Sequence, residues 1–121
     1  MRSDPRRPRG LSHTPLEGAV WTAQKLKGTM VRVRGQFQGK DLFGEAACAG
    51  SPADGWVIKD GSFWVWVTGR KPQGKGWTLD PTSRSDAERW VEVAGKLELR
   101  DECVVPQASD VMVVPAPTAS R

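Results

Sequence analysis

The chain has no tyrosine, one histidine and two cysteines among its 121 residues, and each scarcity excludes a class of site. A histidine-based catalytic triad has no core position to occupy, because His13 stands in a segment too poor in apolar residues to pack. Cys48 and Cys103 lie far apart and have neither CxxC nor Cys/His spacing. We therefore expect no metal site and no cofactor.

An apolar stretch of the kind found in a secretory signal is also missing. Residues 1–10 are rich in Arg and Pro and contain no run of about seven apolar residues, so we expect a cytoplasmic protein that does not enter a membrane. This expectation depends on where the mature chain begins. With a different start, Cys48 and Cys103 can form a disulfide, as in proteins of oxidising compartments.

The residues that are present indicate one globular domain with an uneven charge. Hydrophobic residues make up 38% and charged residues 26% of the chain, which suits a single core. The net charge of the chain is +4. Residues 20–77 have nine Lys or Arg and four acids, a charge of +5, whereas residues 78–110 have four Lys or Arg and eight acids, a charge of −4. Such a dipolar surface attracts a polyanion to one side, or the two halves pair with each other across the fold.

Two strands of the same kind are indicated by the pattern V-x-V-x-G-x-apolar, which occurs at 31–37 and again at 91–97. Apolar residues alternate with polar or small ones, so one face of each strand is buried and the other is wet. Gly35 and Gly95 occupy the same point of both patterns, where a strand bends sharply because no Cβ obstructs it. We expect the two strands to be neighbours in one closed, mostly antiparallel barrel.

Capping signals predict two helices. Thr14, Pro15 and Glu17 form a capping box for an N-terminal helix that ends at Gly28. A second capping box opens at Ser85 and predicts a short helix. The chain is therefore predicted to consist of a disordered basic arm at 1–13, one folded domain at 14–114 and a disordered tail at 115–121.

Turn signals and apolar runs give the remaining strands. The Asp60-Gly61 pair predicts a tight hairpin, and a long connection covers 39–55. The final strand is predicted in two parts because Pro106 lacks the N–H that a continuous ladder uses. The predicted strands are 30–38, 56–59, 63–68, 90–100, and 103–105 with 111–114.

Five strands with an N-terminal helix and a short helix between strands three and four follow the order of the OB-fold, an all-β Greek-key barrel with minor α structure. The sequence also resembles bacterial OB-fold domains that are grouped as similar to tRNA-anticodon-binding domains. The resemblance covers roughly 14–114 and is carried by Met30-Val31-Arg32-Val33-Arg34-Gly35, Trp56-Val57-Ile58-Lys59-Asp60 and Trp90-Val91-Glu92-Val93-Ala94-Gly95. It implies a nucleic acid or another oligomeric ligand by association alone, and it supplies no catalytic motif.

The aromatic residues, six Trp and three Phe, indicate where a ligand would bind. Trp64 and Trp66 alternate with apolar residues in one predicted strand, so both of its faces are apolar. OB-folds stack bases on aromatic side chains of strands two and three, beside cations that follow the backbone. Trp64 and Trp66 are thus predicted ligand contacts; the alternative is a second hydrophobic layer beneath the N-terminal helix or the 39–55 connection.

The other predicted ligand contacts are cations and one further aromatic residue: Arg32 and Arg34 on the first strand, and Arg70, Lys71, Lys75 and Trp77 in the glycine-rich loop at 69–77. Cross-strand ion pairs with Glu92 or Glu98 explain the two arginines of the first strand equally well. The loop is alternatively a soluble connector.

These features favour a binding module over an enzyme, because the carboxylates at turns and helix starts include no pair at a catalytic spacing. We predict a small OB-fold module for single-stranded nucleic acid or another extended anionic ligand. The alternative is a protein-interaction or structural OB barrel whose apolar surplus faces a protein partner. Salt separates the two, since it weakens nucleic-acid binding steeply and leaves a hydrophobic interface nearly unchanged.

Overall fold

The computed structural model describes residues 16–44, 46, 48, 51–83, 86–87, 89–100 and 103–115. The elements in this part of the chain are α1 (Leu16–Trp21), α2 (Ala23–Leu26), β1 (Met30–Phe37), β2 (Trp56–Asp60), β3 (Phe63–Val67), β4 (Gln73–Gly74), β5 (Trp77–Thr78), β6 (Trp90–Arg100) and β7 (Cys103–Val114). The predicted basic arm, the tail after residue 115, and the capping residues Thr14 and Ser85 lie outside the described residues.

Five strands form one antiparallel sheet in the order β3-β2-β1-β6-β7. The two strands with the repeated pattern are neighbours, paired from Met30 opposite Lys96 to Gln36 opposite Trp90. This confirms the pairing expected from the sequence. Strands β2 and β3 form the predicted hairpin around Gly61, whose φ of 65° suits a tight turn.

The edges of the sheet approach each other without forming a continuous ladder. Thr68, just after β3, makes one parallel bridge to Gln107 of β7, with hydrogen bonds from Thr68 N to Pro106 O (3.1 Å) and from Ala108 N to Thr68 O (2.7 Å). The chain then turns away at Gly69, where φ is 95°, which ends the pairing. The all-β, OB-like class is confirmed, but the expectation of a closed barrel is wrong: in the described structure β3 and β7 are the two edges of the sheet, and this one bridge is not a ladder between them.

The main core lies on one face of the sheet. Alternating residues of β1, β2, β3 and β6 point into it, as period-two patterning requires. Burying each large apolar side chain there contributes about 1.5–3 kcal/mol. Its fully buried residues include Leu16, Val33, Phe37, Trp56, Ile58, Val65, Val67, Val91, Val93 and Leu97.

The predicted N-terminal helix is two short helices. Leu16 and Ala19 of α1 are completely buried against the sheet. The break is at Thr22, whose hydroxyl donates a 2.6 Å hydrogen bond to the carbonyl of Gly18, a side-chain bond that bends helices. The end at Gly28 is as predicted: its φ is 84°, and its N–H donates to Leu97 O at 2.7 Å. No helix among the described residues is long and apolar enough to cross a membrane.

Strand β7 is not interrupted by Pro106, contrary to the expectation from sequence. Pro106 lies opposite Leu97, whose N–H and carbonyl bond instead to Thr29 and Gly28 on the β1 side. Pro106 thus occupies a site in the β6–β7 ladder where no N–H is needed. The glycine-rich loop also differs, since it contains the two-stranded hairpin β4–β5.

Candidate ligand-binding surface

The outer face of β2, β3 and β7 carries a second hydrophobic cluster, separate from the main core. Val57 and Trp66 lie opposite each other in the β2–β3 ladder. The buried members of the cluster are Ala46, Val57, Trp66, Cys103 and Val105, with Cys48 and Trp64 packed against them. Because Ala46 and Cys48 belong to the β1–β2 connection, that connection covers the outer face of β3.

Two contacts fasten the connection to this face, and together we call them the clasp. A disulfide joins Cys48 to Cys103 at the start of β7, with a Cα–Cα distance of 5.9 Å. The indole Nε1 of Trp66 donates a 2.7 Å hydrogen bond to the carbonyl oxygen of Ala46. A buried indole N–H needs an acceptor, so this bond also fixes the orientation of the ring.

The clasp determines how the predicted aromatic pair is placed. Trp66 is 8% exposed, so its ring faces are covered by protein and are not open to stacking in this form. The structure shows the alternative arrangement, a second hydrophobic layer beneath the 39–55 connection. Trp64 is only half-buried and also lines a shallow groove beside α1.

The predicted arginines of β1 are ion-paired to one carboxylate. Nη1 of Arg32 lies 2.8 Å from Glu92 Oε2, and Nε of Arg34 lies 2.7 Å from Glu92 Oε1. Burial raises the pKa of Glu92, but hydrogen bonds and charge from Arg34 and Arg32 outweigh it and leave the pKa below its usual value. The cross-strand ion pair is therefore present for Glu92, whereas Glu98 pairs with Arg100. Phosphate contact by Arg32 and Arg34 stays a prediction.

A cleft of about 500 Å³ lies between the β1–β2 connection and the β4–β5 hairpin. The two ends of the connection, the first residue of β2 and the segments flanking the hairpin line it: Lys40, Asp54, Gly55, Trp56, Lys71, Pro72, Gln73, Thr78, Leu79, Asp80 and Pro81. A depression of about 160 Å³ shares Asp54 and Lys71 with the cleft and adds Gly69 and Arg70. In OB-folds the loop between the first two strands borders the ligand surface, and the cleft has that position.

The cleft is held in shape by backbone contacts and by a buried ring. Trp56 is 1% exposed and packs against Phe37 with ring centroids 5.7 Å apart. Its Nε1 donates a 2.8 Å hydrogen bond to the carbonyl of Arg70, which fixes one wall. The N–H of Lys40 donates to Pro81 O at 2.9 Å and joins the opposite wall to the base of the hairpin. A ligand would therefore meet a preformed site.

Three of the predicted cations are exposed near this cleft. Arg70 and Lys71 are adjacent on one wall, and Lys75 lies in the turn of the β4–β5 hairpin. Within the described part of the chain, none of these three side chains forms an ion pair or a hydrogen bond. Lys40, which was not predicted as a contact, lines the opposite wall, and its Nζ donates to Ala53 O at 3.2 Å.

The two acidic residues of the lining are engaged in local structure. Asp54 Oδ1 accepts a 3.2 Å hydrogen bond from the Thr68 hydroxyl. Asp80 Oδ1 accepts hydrogen bonds from the backbone N–H (2.9 Å) and the hydroxyl (2.7 Å) of Thr82, and these bonds lower the pKa of Asp80. Both carboxylates thus serve the loops on which they sit, while Arg70 and Lys71 have no side-chain partner in the described part of the chain.

Trp77 has a structural position in the hairpin. It is half-buried against the main core, and its ring lies so close to Gly74 that a Cβ there would be 2.5 Å from the indole Nε1. The hairpin is therefore anchored by Trp77, and the ring has limited freedom to stack on a ligand. Its predicted role as a ligand contact stays untested.

One aromatic surface was missed from the sequence. Trp21 is 72% exposed and lies edge-on to Phe63, with ring centroids 6.3 Å apart. Beside it, a groove of about 180 Å³ is lined by Val20, Ser62, Phe63, Trp64 and Val104. Helical spacing is the sequence signal that could have identified this surface, because Trp21 falls outside the stripe of Leu16, Ala19 and Ala23 that faces the core.

No model of a known protein family matches this chain, and no curated protein matches it significantly in sequence. Solved structures do resemble it. The hypothetical protein ygiW from E. coli has 23% identity and a TM-score of 0.54, over 88% of this chain and 94% of that one. A protein described as an aspartyl-tRNA synthetase from Leishmania major Friedlin has 11% identity and a TM-score of 0.54, over 98% of this chain and 23% of that one. At these identities the likeness shows the fold alone.

Proposed function

We propose that this chain is a non-enzymatic OB-fold module that binds an extended anionic ligand, namely single-stranded nucleic acid. The ligand binds along the cleft between the β1–β2 connection and the β4–β5 hairpin. The observation that carries the proposal is the set of unpaired cations on one wall. Lys71 lines both the cleft and the adjoining depression, and Arg70 lines the depression. Two adjacent, exposed cations suit successive phosphates of a flexible strand.

The rest of the lining supports this ligand class. The half-buried Pro81 supplies apolar surface for the flat face of a base, and the exposed Gln73 and Thr78 supply hydrogen-bonding groups. A site with cations along an apolar cleft binds single strands with little sequence preference. The strand pattern that resembles anticodon-binding domains, and a structural neighbour that is named for tRNA, support nucleic acid as the ligand.

The proposal predicts a moderate dependence on salt. If Lys40, Arg70 and Lys71 each neutralise one phosphate, the logarithm of the association constant should fall with the logarithm of salt concentration with a slope of about −2. Lys71→Glu should weaken binding of a mixed-sequence oligonucleotide and reduce that slope in magnitude. Fluorescence anisotropy of labelled oligonucleotides at several salt concentrations measures both.

Lys25→Glu is the matched control. Lys25 is an exposed lysine of α2 that lines neither the cleft nor the depression, and the change in net charge is the same. It should leave the affinity within about twofold of the wild type, because distant surface charges are screened beyond roughly 10 Å. Equal losses from the two variants would show only non-specific attraction, and absence of binding at low salt would reject nucleic acid as the ligand.

A second candidate function is favoured by the groove beside α1. Its neighbour Trp21 is 72% exposed, and an exposed aromatic patch of this kind is typical of a protein-interaction surface. A protein partner that inserts an apolar side chain between Phe63 and Trp64 would bind with little dependence on salt. Trp21→Ala would weaken that complex and leave oligonucleotide binding unchanged.

A further inference from the structure

The surface that carries ligands in OB-folds is occupied in this protein by the chain itself. Ligand-binding OB-folds use the outer face of strands two and three together with the loop between strands one and two. Here Ala46 and Cys48 of that loop lie over Trp66 and Val57, and the disulfide to Cys103 holds them in place. The side chain best suited to stacking is thus covered by a redox-sensitive bond.

We propose that the Cys48–Cys103 disulfide is a redox latch on a second part of the ligand surface. In the oxidised form the clasp covers Trp66, whereas the cleft is open. Reduction releases the cover and exposes Trp66 beside Trp64, so that the ligand surface extends from the cleft onto the outer face of β3. The identity of the ligand rests on the proposed function, whereas the release of the cover does not.

The contacts at the ends of the connection show where it opens. Lys40 N donates to Pro81 O (2.9 Å) and Val57 N donates to Gly39 O (2.8 Å), and neither bond involves the clasp. Ala46, in contrast, reaches β3 through its carbonyl bond to Trp66, next to the disulfide. Loss of the disulfide therefore leaves the middle of the connection held on β3 by the single hydrogen bond between Trp66 and Ala46, a bond that opens far more readily than a covalent link, while the ends of the connection and the walls of the cleft stay in place.

The main core does not depend on the latch. The residues of the second cluster are distinct from those of the main core, although β7 contributes to both: Val104, Ala108 and Val111 pack into the main core, and Cys103 and Val105 into the second cluster. The pairing of β1 with β6 also involves no residue of the clasp. Reduction should therefore uncover one face of a sheet that remains folded.

The chemistry is a thiol–disulfide exchange with a dithiol reductant. Cys48 is half-buried and Cys103 is fully buried, so the reductant's thiolate attacks Sγ of Cys48 and Cys103 leaves as a thiolate that takes up a proton. The second thiol of the reductant then attacks the mixed disulfide and releases Cys48. Two protein thiols form, and the dithiol is oxidised to its own disulfide.

The latch also bears on the compartment. A disulfide persists where thiols are oxidised and is reduced in a thiol-rich cytoplasm, so the latch is closed in the first setting and open in the second. The cytoplasmic location expected from the sequence stays a prediction. In that compartment the disulfide would be reduced and the latch open.

Hydrogen exchange of the wild-type protein, with and without a dithiol, tests the latch. Reduction, verified by counting free thiols, should increase amide exchange in peptides covering 39–55 and shift tryptophan emission to longer wavelength, while peptides of β1 and β6 stay protected. The Cys48→Ser/Cys103→Ser variant should behave like the reduced wild type. Unchanged exchange in 39–55 after reduction would overturn the latch, whatever binds to the protein.

Oligonucleotide binding tests the uncovered face. Stacking on one newly exposed Trp should tighten binding about tenfold in the reduced and Cys-free forms. Adding Trp66→Ala to the Cys-free variant should abolish that gain. Equal affinity in both redox states, with 39–55 open, would reject Trp66 as a ligand contact. If neither form binds, the proposed function fails, and the exchange result still decides the latch.

Discussion

Gly35 and Gly95 are required for space, and not for an unusual backbone conformation. Neither has a positive φ. A Cβ at Gly95 would meet the carbonyl oxygen of Gln107 and lie 2.8 Å from the Cα of Ala108, at the register shift between β6 and β7. A Cβ at Gly35 would lie 2.8 Å from the backbone N of Lys59. The repeated glycine thus marks two places where neighbouring strands come unusually close.

Replacing Gly35 or Gly95 by Val should lower the free energy of unfolding by about 1 to 3 kcal/mol, because backbone atoms have to move apart. Gly28→Ala is the control, because it strains the backbone conformation without crowding any neighbour: the φ of Gly28 is 84°, and no atom lies within 4 Å of the added Cβ. It should cost about 1 kcal/mol. Urea denaturation compares the three, and wild-type stability of Gly95→Val would contradict the close approach of β7.

Glu92 is a charged residue whose burial depends on its two partners. It is 5% exposed, although it points away from the main core, because Arg32 and Arg34 lie against it. Its lowered pKa means that the ionised carboxylate stabilises the folded state above the usual pKa of about 4.3. This contribution is lost as the pH falls through the lower pKa of the folded protein.

Glu92→Gln should therefore lower stability by about 1 to 2 kcal/mol near neutral pH, and by much less once acid has protonated the wild-type carboxylate. Urea denaturation across the acid range measures the difference. Glu98→Gln is the control, because the Glu98–Arg100 pair (2.8 Å) has side chains 29% and 39% exposed and should contribute less than about 0.5 kcal/mol. A constant difference at every pH would rule out ionisation of Glu92 as the cause.

At the scale of elements, β3 is a strand with two buried faces. Val65 and Val67 pack into the main core, while Trp66 packs under the β1–β2 connection. The connection lacks regular secondary structure in its described residues, so it depends on side-chain attachments. The indole bond from Trp66 to Ala46 is one of these.

Trp66→Phe keeps an aromatic ring on β3 but removes the hydrogen bond to the Ala46 carbonyl. We expect a loss of about 1 kcal/mol in stability and faster amide exchange in 39–55, with the disulfide intact. Trp64→Phe is the matched control, because Trp64 is half-buried and at the border of the second cluster. If both variants exchange alike in this segment, the indole bond does not hold the connection.

At the scale of the whole molecule, the uneven charge is partly neutralised by the topology. The β1–β6 ladder brings Arg32 and Arg34 of the basic half onto Glu92 of the acidic half. Arg70, Lys71 and Lys75 of the same basic half form no ion pair with an acid in the described structure, so unneutralised positive charge remains at the hairpin end. Both interpretations of the charge pattern therefore apply, each to different residues.

Local patterns were sufficient to predict most of the fold. Alternating Val residues predicted β1 and β6, and Asp60-Gly61 predicted the β2–β3 hairpin, because period-two burial and turn geometry act over a few neighbouring residues. The site was predicted less well. Arg70 and Lys71 were identified, but Lys40, on the opposite wall, comes from a segment about thirty residues earlier, and nothing local connects the two.

The sequence by itself determined the positions of the main strands, the hairpin and the two-faced character of β3, because these depend on alternation and on residues close together in the chain. Only the tertiary structure decided that Cys48 meets Cys103 across 55 residues, and that the connection between them covers Trp66. The physical reason is that contacts across such distances are set by how the sheet curves and which loop fits its outer face. Propensities of single segments carry no information about that fit.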